Sequence, residues 1–262
     1  MRISLPTPDP FSFELSLQFL RRSPKELLHR LDGDHVVKLL PLETGPILFS
    51  VKEGKGKLLI DFLNGNPSQE AKTQVKNYVR EWFDLETDLK SFYSIARKDD
   101  LLKNLIKKYS GYRIMSHPDL FESLLWAVMG QQINLHFAYT IKQRFVEHFG
   151  NKMDFENISY HTFPTPNVVA LLTDKDLLPL QFSRQKSQYV RLIGQAFYDG
   201  TISKEKLRGM SLLEAKEQLI KIKGIGNWTA NYALMRTFRY PDAFPLEDVA
   251  LHKAIQDRKS VV

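Results

Sequence analysis

The segment Lys223-Gly224-Ile225-Gly226 constrains this chain more than any other. It interrupts two stretches of helical periodicity. Before it, Leu212, Ala215, Leu219 and Ile222 recur at helical spacing behind Ser211-Leu212-Leu213-Glu214, which has the form of a capping box. After it, Asn227 is placed to cap a second helix running Trp228-Thr229-Ala230-Asn231-Tyr232-Ala233-Leu234-Met235. Two glycines flanking one apolar residue permit a tight reversal whose backbone N–H groups stay uncovered by side chains. With the N-terminus of the second helix they make a ready anion site. Such a turn holds a phosphate without reading a base. The same pattern also serves as an ordinary interhelical turn, so its meaning depends on what accompanies it.

Several function classes fall away at once. The 262 residues contain no cysteine, which removes disulfides, thiolate zinc sites, Cys-ligated iron–sulfur clusters and any cysteine nucleophile. The histidines, among them His117, His136, His161 and His252, show no ligand spacing. Hydrophobic residues at 43% and charged residues at 26% suit one large or two modest globular domains. Apolar runs such as Leu124 to Met129 fall far short of the ~18–20 residues of a membrane span. Met1-Arg2-Ile3-Ser4-Leu5-Pro6 lacks the apolar core of a signal peptide, so a cytoplasmic location is expected. The net charge of +7 favours a polyanionic partner only weakly. From Gln181 to Gly224, however, nine basic residues face four acidic ones. That stretch reads either as a solvated helical face or as a surface for nucleic acid.

Residues 1–110 and 111–262 differ in character. In the first segment Phe11 to Leu17 alternates apolar and polar, a strand period, and Val36 to Leu40 and Ile47 to Val51 are short apolar runs. Lys52 to Lys57 separates Ile47–Val51 from Leu58–Phe62 as a glycine-containing hairpin loop, without the spacing of a phosphate-binding P-loop. Ser23-Pro24-Lys25-Glu26 predicts the start of a short helix, and Gln69 to Phe83 an amphipathic one. Beyond residue 111 helical patterns take over, at Leu120 to Gln131, Phe137 to Phe149, Asn167 to Leu172, Arg184 to Tyr198, Ser211 to Ile222, Asn227 to Phe238 and from Glu247 onward. The expectation is an α+β chain, with an antiparallel sheet and helices over 1–110 and an all-α domain over 111–262.

The run Leu219 to Ala230 resembles the hairpin of the helix-hairpin-helix DNA glycosylase superfamily. Those enzymes place a catalytic aspartate shortly after the second helix, where this chain has Phe244-Pro245-Leu246-Glu247-Asp248-Val249. Within the superfamily it is most similar to the 3-methyladenine glycosylase II branch. The carriers are Gly-x-Gly-x-Trp-Thr-Ala-Asn-Tyr, the helix Phe121 to Gly130 ending in Gln131-Gln132, and the sheet-plus-helix first segment. The resemblance implies a monofunctional enzyme of base excision repair that flips alkylated purines out of double-stranded DNA. The chemistry is consistent with one carboxylate. Cleaving an N-glycosidic bond builds positive charge on the sugar, and an alkylated base leaves without a second, acidic carboxyl because it is already cationic. Asp248 is the expected carboxylate, although by position it also reads as a helix N-cap, with Glu247 secondary.

The same resemblance assigns Trp228 and Tyr232 to the base pocket, where a cationic purine would stack. It assigns Gly224, Ile225, Gly226 and Thr229 to DNA binding, and Gln132 to the gap left by the flipped nucleotide. It implies a structural monovalent cation on the backbone carbonyls of Ile220, Ile222 and Ile225, with no other cofactor, and a monomer. Bifunctional relatives carry a Schiff-base lysine two residues after the second hairpin glycine, and Trp228 stands there. An oxidised-base glycosylase-lyase is therefore a distant alternative, and a non-catalytic helix-hairpin-helix DNA-binding protein a nearer one. In the family further helices follow the aspartate helix, whereas this chain stops at Val262. A shortened C-terminus would leave Val249, Leu251 and Ile255 uncovered and weaken both stability and excision.

Overall fold

A computed structural model describes residues 1–259 of the chain. Strand β1 (Arg2–Pro6) leads to helix α1 (Phe13–Leu20), then β2 (Arg30–Asp32), β3 (His35–Leu40), β4 (Ile47–Gly54) and β5 (Lys57–Phe62). The strands pair antiparallel in the order β1-β5-β4-β3-β2. Helices α2 (Gln69–Trp82), α3 (Lys90–Ala96) and α4 (Leu102–Lys108) follow. The chain continues with α5 (Leu120–Gly130), α6 (Leu135–Phe149), a hairpin of β6 (Lys152–Phe155) and β7 (Ile158–His161), then α7 (Pro166–Leu171) and α8 (Asp174–Leu177). After a 3-10 turn come α9 (Arg184–Tyr198), α10 (Lys204–Leu207), α11 (Leu212–Ile220), α12 (Asn227–Phe238) and α13 (Val249–Lys259).

Three sequence expectations are corrected here. Phe11 to Leu17 is not a strand: the Ser12 hydroxyl accepts from the Leu15 amide at 3.3 Å and starts α1. That helix buries Phe13, Ser16, Leu17 and Leu20, a spacing of three and four, so the apolar–polar alternation was coincidental. Ser23 to Glu26 forms a turn and no helix. Ser23 Oγ accepts from the Lys25 amide, and Glu26 Oε1 accepts from the Leu28 amide instead of returning to Ser23 as a capping box requires. Nor is the second segment all-α, because it contains β6 and β7. Their four-residue strands meet at Glu156-Asn157, both at positive φ (49° and 62°), a two-residue turn without the usual Asn-Gly signature.

That small hairpin explains why β3 and β4 are buried on both faces. Val36, Leu40, Phe49 and Val51 face α1 and α2, packing with Leu17, Val75, Val79 and Trp82. The alternate residues Val37, Leu39 and Leu48 meet Tyr160, Met153, Phe155 and Ile158 of the β6–β7 hairpin. A larger core fills the helical part, with Leu124, Leu125, Met129, Phe145, Ile193, Leu219 and Leu234 buried at its centre.

Between the sheet side and α6 lies a cluster of ions. Lys142 Nζ is 2.8 Å from Glu26 Oε2 and 3.6 Å from Glu122 Oε1, all three side chains being buried or nearly so. Lys38 donates to the Leu28 carbonyl at 2.9 Å beneath the rings of Tyr78 and Trp82. Burial alone would raise the Glu26 carboxyl, but Lys142, His29 and the Leu28 amide outweigh it and bring its pKa down to about 2. Burial pulls His29 down to about 4, partly opposed by Glu26. Both shifts make the fold acid-sensitive. His29 must stay neutral, so stability falls as pH drops from about 6.5 toward about 4. The ionised Glu26 adds stability that is lost as pH drops from about 4.5 toward about 2. Denaturant melts at pH 7, 5.5, 4 and 3 are expected to show this staged loss, and a flat profile from pH 7 to 4 would contradict it. Lys142→Met strands Glu26 as an unpaired buried charge and is expected to cost about 3–5 kcal/mol at neutral pH.

Candidate active site

Helix α11 ends in a turn closed by the Ile225 amide on the Ile222 carbonyl at 3.1 Å. Ile225 is the turn's plug, 3% exposed and packed in the helical core. The two glycines differ in kind. Gly224 has φ +101°, and a Cβ there would sit 2.3 Å from Cγ of Tyr189 on α9. Gly226 has φ −89° and open space around its absent Cβ. Gly226, and not Asn227 as expected, is the N-cap of α12 and supplies no capping side chain. The first intrahelical bond runs from Ala230 N to Gly226 O, so the amides of Asn227, Trp228 and Thr229 precede it. This end of the helix can receive an anion.

Gln131 ties the turn to α5. Its Nε2 donates at 2.9 Å to both the Gly224 carbonyl and the Thr229 hydroxyl. Thr229 is 2% exposed, so its backbone amide and not its hydroxyl is what the helix start can offer. Gln132 is exposed and left-handed at φ +55°, a conformation uncommon outside glycine. It lies where two clefts meet. One, of about 700 Å³, runs past Lys186, Tyr189 and Gly224. The other, of about 780 Å³, runs past Asn134, Gly226, Trp228 and Asp248.

Asp248 uses its two oxygens differently. Oδ1 accepts from the Leu251 amide at 2.9 Å and so caps α13, while Oδ2 accepts from Trp228 Nε1 at 3.1 Å. The capping and functional readings of this residue are thus compatible in geometry. Glu247 beside it is exposed. Trp228 stacks on Tyr232 at 5.2 Å and 15°, and the Tyr232 hydroxyl accepts from Trp126 Nε1 at 3.0 Å. Trp228 lines the cleft with Asp248, and Tyr232 stands behind it. Val249 is 67% exposed and Leu251 half-buried; the side chain of Ile255 lies outside the described residues.

The basic stretch divides. Lys204 is bound to Glu81 and the Pro118 carbonyl, Lys186 to the Met129 carbonyl at 2.7 Å, and Arg191 to Asp174. Arg184 and Lys223 are exposed, and among the described residues their side chains have no hydrogen-bond or ion-pair partner. Sequence reasoning missed Gln131, Trp126 and Tyr189 as braces of the site. A glutamine's two partners, 93 and 98 residues away, leave no local pattern. Among the described residues no group of three or more His, Asp or Glu is placed to hold a metal ion, and no helix is long and apolar enough to cross a membrane.

The difference between the glycines is testable. Gly224→Ala forces a Cβ into the Tyr189 ring at a φ that L residues avoid, and it is expected to destabilise the fold by at least about 2 kcal/mol in urea. Gly226→Ala is expected to leave stability within about 1 kcal/mol, the small loss of a tolerated cap. Equal effects at the two positions would refute this account of the turn.

Residues 125–261 match the model of the HhH-GPD superfamily base excision DNA repair protein, and residues 38–124 that of the 8-oxoguanine DNA glycosylase, N-terminal domain. A DNA-3-methyladenine glycosylase of Bacillus subtilis (strain 168) is 38% identical over 257 residues, which span 97% of this chain and 85% of that protein. Among solved structures, a 3-methyladenine DNA-glycosylase from Archaeoglobus fulgidus is similar with a TM-score of 0.82 at 20% identity, covering 97% of this chain and 85% of that one. The 8-oxoguanine glycosylase/lyase of Clostridium acetobutylicum, in complex with double-stranded DNA, has a TM-score of 0.67 at 22% identity, covering 87% and 84%. These two likenesses concern the fold. The family match over the helical half and the near full-length relative place the chain: it belongs to the HhH-GPD superfamily of base excision DNA repair proteins.

Proposed function

We propose that this chain is a monofunctional DNA glycosylase that hydrolyses the N-glycosidic bond of alkylated purines such as 3-methyladenine in double-stranded DNA, working as a monomer. The observation that carries the reading is the Asp248 carboxylate, held by the Trp228 indole on a cleft that begins at the hairpin's open helix end. The full-length likeness to a DNA-3-methyladenine glycosylase supports the substrate class.

In this reading the amides at Gly226 to Thr229 hold a backbone phosphate, with exposed Arg184 and Lys223 adding sequence-blind attraction. Gln132 enters the space vacated by the flipped nucleotide, its left-handed backbone pointing it out of the α5–α6 corner. The base stacks on the outer face of Trp228, whose inner face is backed by Tyr232, and a cationic base gains cation–π attraction there. As the glycosidic bond lengthens, the sugar becomes cationic and Asp248 stabilises it and positions water. The Trp228 and Leu251 N–H groups each hold one carboxylate oxygen and fix the carboxylate's plane. Hard carbonyl donors of Ile220, Ile222 and Ile225 near the C-terminal end of α11 suit a monovalent cation, which would stiffen the turn. Ile222 gives one lone pair to the Ile225 amide and keeps the other. Trp228 at the lysine position of lyases leaves hydrolysis as the chemistry, because an indole nitrogen forms no imine.

Asp248→Asn is expected to lower single-turnover base release by on the order of 10²–10⁴-fold with DNA affinity nearly unchanged. Trp228→Phe keeps an aromatic face but loses the donor to Oδ2, and a reduction of about tenfold is expected. If the Asp248→Asn protein releases 3-methyladenine as fast as the unaltered chain, the assignment fails. Excision absent in the unaltered chain, with tight duplex binding, would favour the non-catalytic binding protein. Borohydride is expected to trap no protein–DNA adduct during base release, and an adduct would restore the lyase alternative.

A further inference from the structure

Trp126, on α5, is 5% exposed and does not line the cleft beside Asp248. Its surroundings leave it little room to move. The ring packs on Tyr139 of α6 with centres 4.8 Å apart. The Lys142 ammonium lies 5.3 Å from the ring centre and is itself pinned by Glu26 at 2.8 Å. An indole has one polar hydrogen and accepts nothing. That hydrogen goes to the Tyr232 hydroxyl at 3.0 Å, across 106 residues of sequence.

The bond fixes the tip of the Tyr232 side chain, and with it the rotamer about χ1. The Tyr232 ring is in turn the surface on which Trp228 lies, at 5.2 Å and 15°. Among the described residues no other aromatic ring meets Trp228. Trp228 is half-buried and lines the cleft, so its indole plane is set from the Tyr232 side. That plane decides where Nε1 points, and a rotation away from it lengthens or breaks the 3.1 Å bond to Asp248 Oδ2. Two hydrogen bonds and one stacked pair thus run from a fixed ring in α5 to the carboxylate at the start of α13.

We propose that Trp126 is a positioning residue for Asp248: through the Tyr232 hydroxyl it sets the plane of Trp228 and so the orientation of the carboxylate. The inference rests on the proposed role of Asp248. A packing role alone would need the ring of Trp126 but not its N–H.

The test compares single-turnover release of 3-methyladenine from duplex DNA in Trp126→Phe, Tyr232→Phe, Trp228→Phe and the Trp126→Phe/Trp228→Phe double variant. Affinity for a duplex holding an uncleavable abasic analogue is measured alongside. Trp126→Phe keeps an aromatic ring and loses the donor; Tyr232→Phe loses the acceptor. Each is expected to slow release about three- to tenfold with affinity unchanged within about twofold. In the Trp228→Phe background, Trp126→Phe is expected to cost less than about twofold more, because its route to Asp248 is already cut. The chain has three tryptophans, so each indole N–H can be followed singly by NMR. In Trp126→Phe the Trp228 N–H is expected to exchange with solvent at least about threefold faster, and that of Trp82 at an unchanged rate. Tyr232→Phe supplies the same readout should Trp126→Phe fail to fold. Losses that multiply in the double variant, or a Trp228 N–H that exchanges at its original rate in these variants, would overturn the proposal. If Asp248→Asn releases base at the unaltered rate, the catalytic reading fails instead, and the exchange result still decides whether Trp126 holds Trp228 against Asp248.

Discussion

The contact of the Gly224 backbone with the Tyr189 ring fixes where α12 begins, and the candidate site depends on that phase. Trp228, Tyr232 and Arg236 recur every four residues and so share one stripe of the helix. Each meets a different partner along it: Trp228 the carboxylate of Asp248, Tyr232 the indole of Trp126, Arg236 the ring of Phe19. A slip of one residue would rotate the helix by roughly 100° and break all of these together. Gln131 adds the second constraint by binding the turn and the first turn of α12 at once. The end of the helix that can receive a phosphate and the face that meets Asp248 are therefore set by one piece of geometry.

The sheet and the helices hold one another by two unlike means. On one face of the sheet the β6–β7 hairpin covers Val37, Leu39 and Leu48 with apolar side chains. Near the other, Lys142 of α6 meets Glu26 from the loop after α1. Apolar cover is indifferent to small shifts, whereas a buried ion pair works only in one arrangement. Ser116 and His117 reinforce it, bonding to the carbonyl of Arg236 while the Ser116 amide bonds to Trp82. The connecting segment thus touches α2 and α12 within two residues, and Phe19 of the sheet side lies between Arg22 and, on the α12 stripe, Arg236.

What was legible in the sequence was what repeats or caps locally. Arg184 to Tyr198 and Asn227 to Phe238 are helical over the residues their periodicity indicates, and the strands around Val36–Leu40, Ile47–Val51 and Leu58–Phe62 fall where apolar runs end in turn residues. The failures have the opposite cause. Phe11 to Leu17 satisfied both periods over a short window, and Ser12 decided for the helix. β6 and β7 are too short for a period, and what stabilises them is the far-off face of β3 and β4. Around the candidate site, the turn at the glycines and the capping position of Asp248 were legible because backbone conformation and capping are local. Gln131 was not, since only the folded chain reveals that it, and not Gln132, faces the hairpin.

Asp248 shows why a capping residue and a functional carboxylate need not compete for one position. A helix start asks for a side-chain oxygen that accepts from the amide three residues on, and Oδ1 does this for Leu251. That bond costs the other oxygen nothing. It ties the carboxylate plane to the first turn of α13. Trp228 then holds Oδ2 from the α12 side, so the carboxylate is clamped between residues of the first turns of two helices. A sugar cation forming in front of such a group meets a charge that is already oriented, and no reorganisation is needed at the moment of bond breaking. The same two bonds leave the carboxylate little freedom to turn away from the cleft. For the proposed chemistry, capping is therefore the means by which the carboxylate is preorganised.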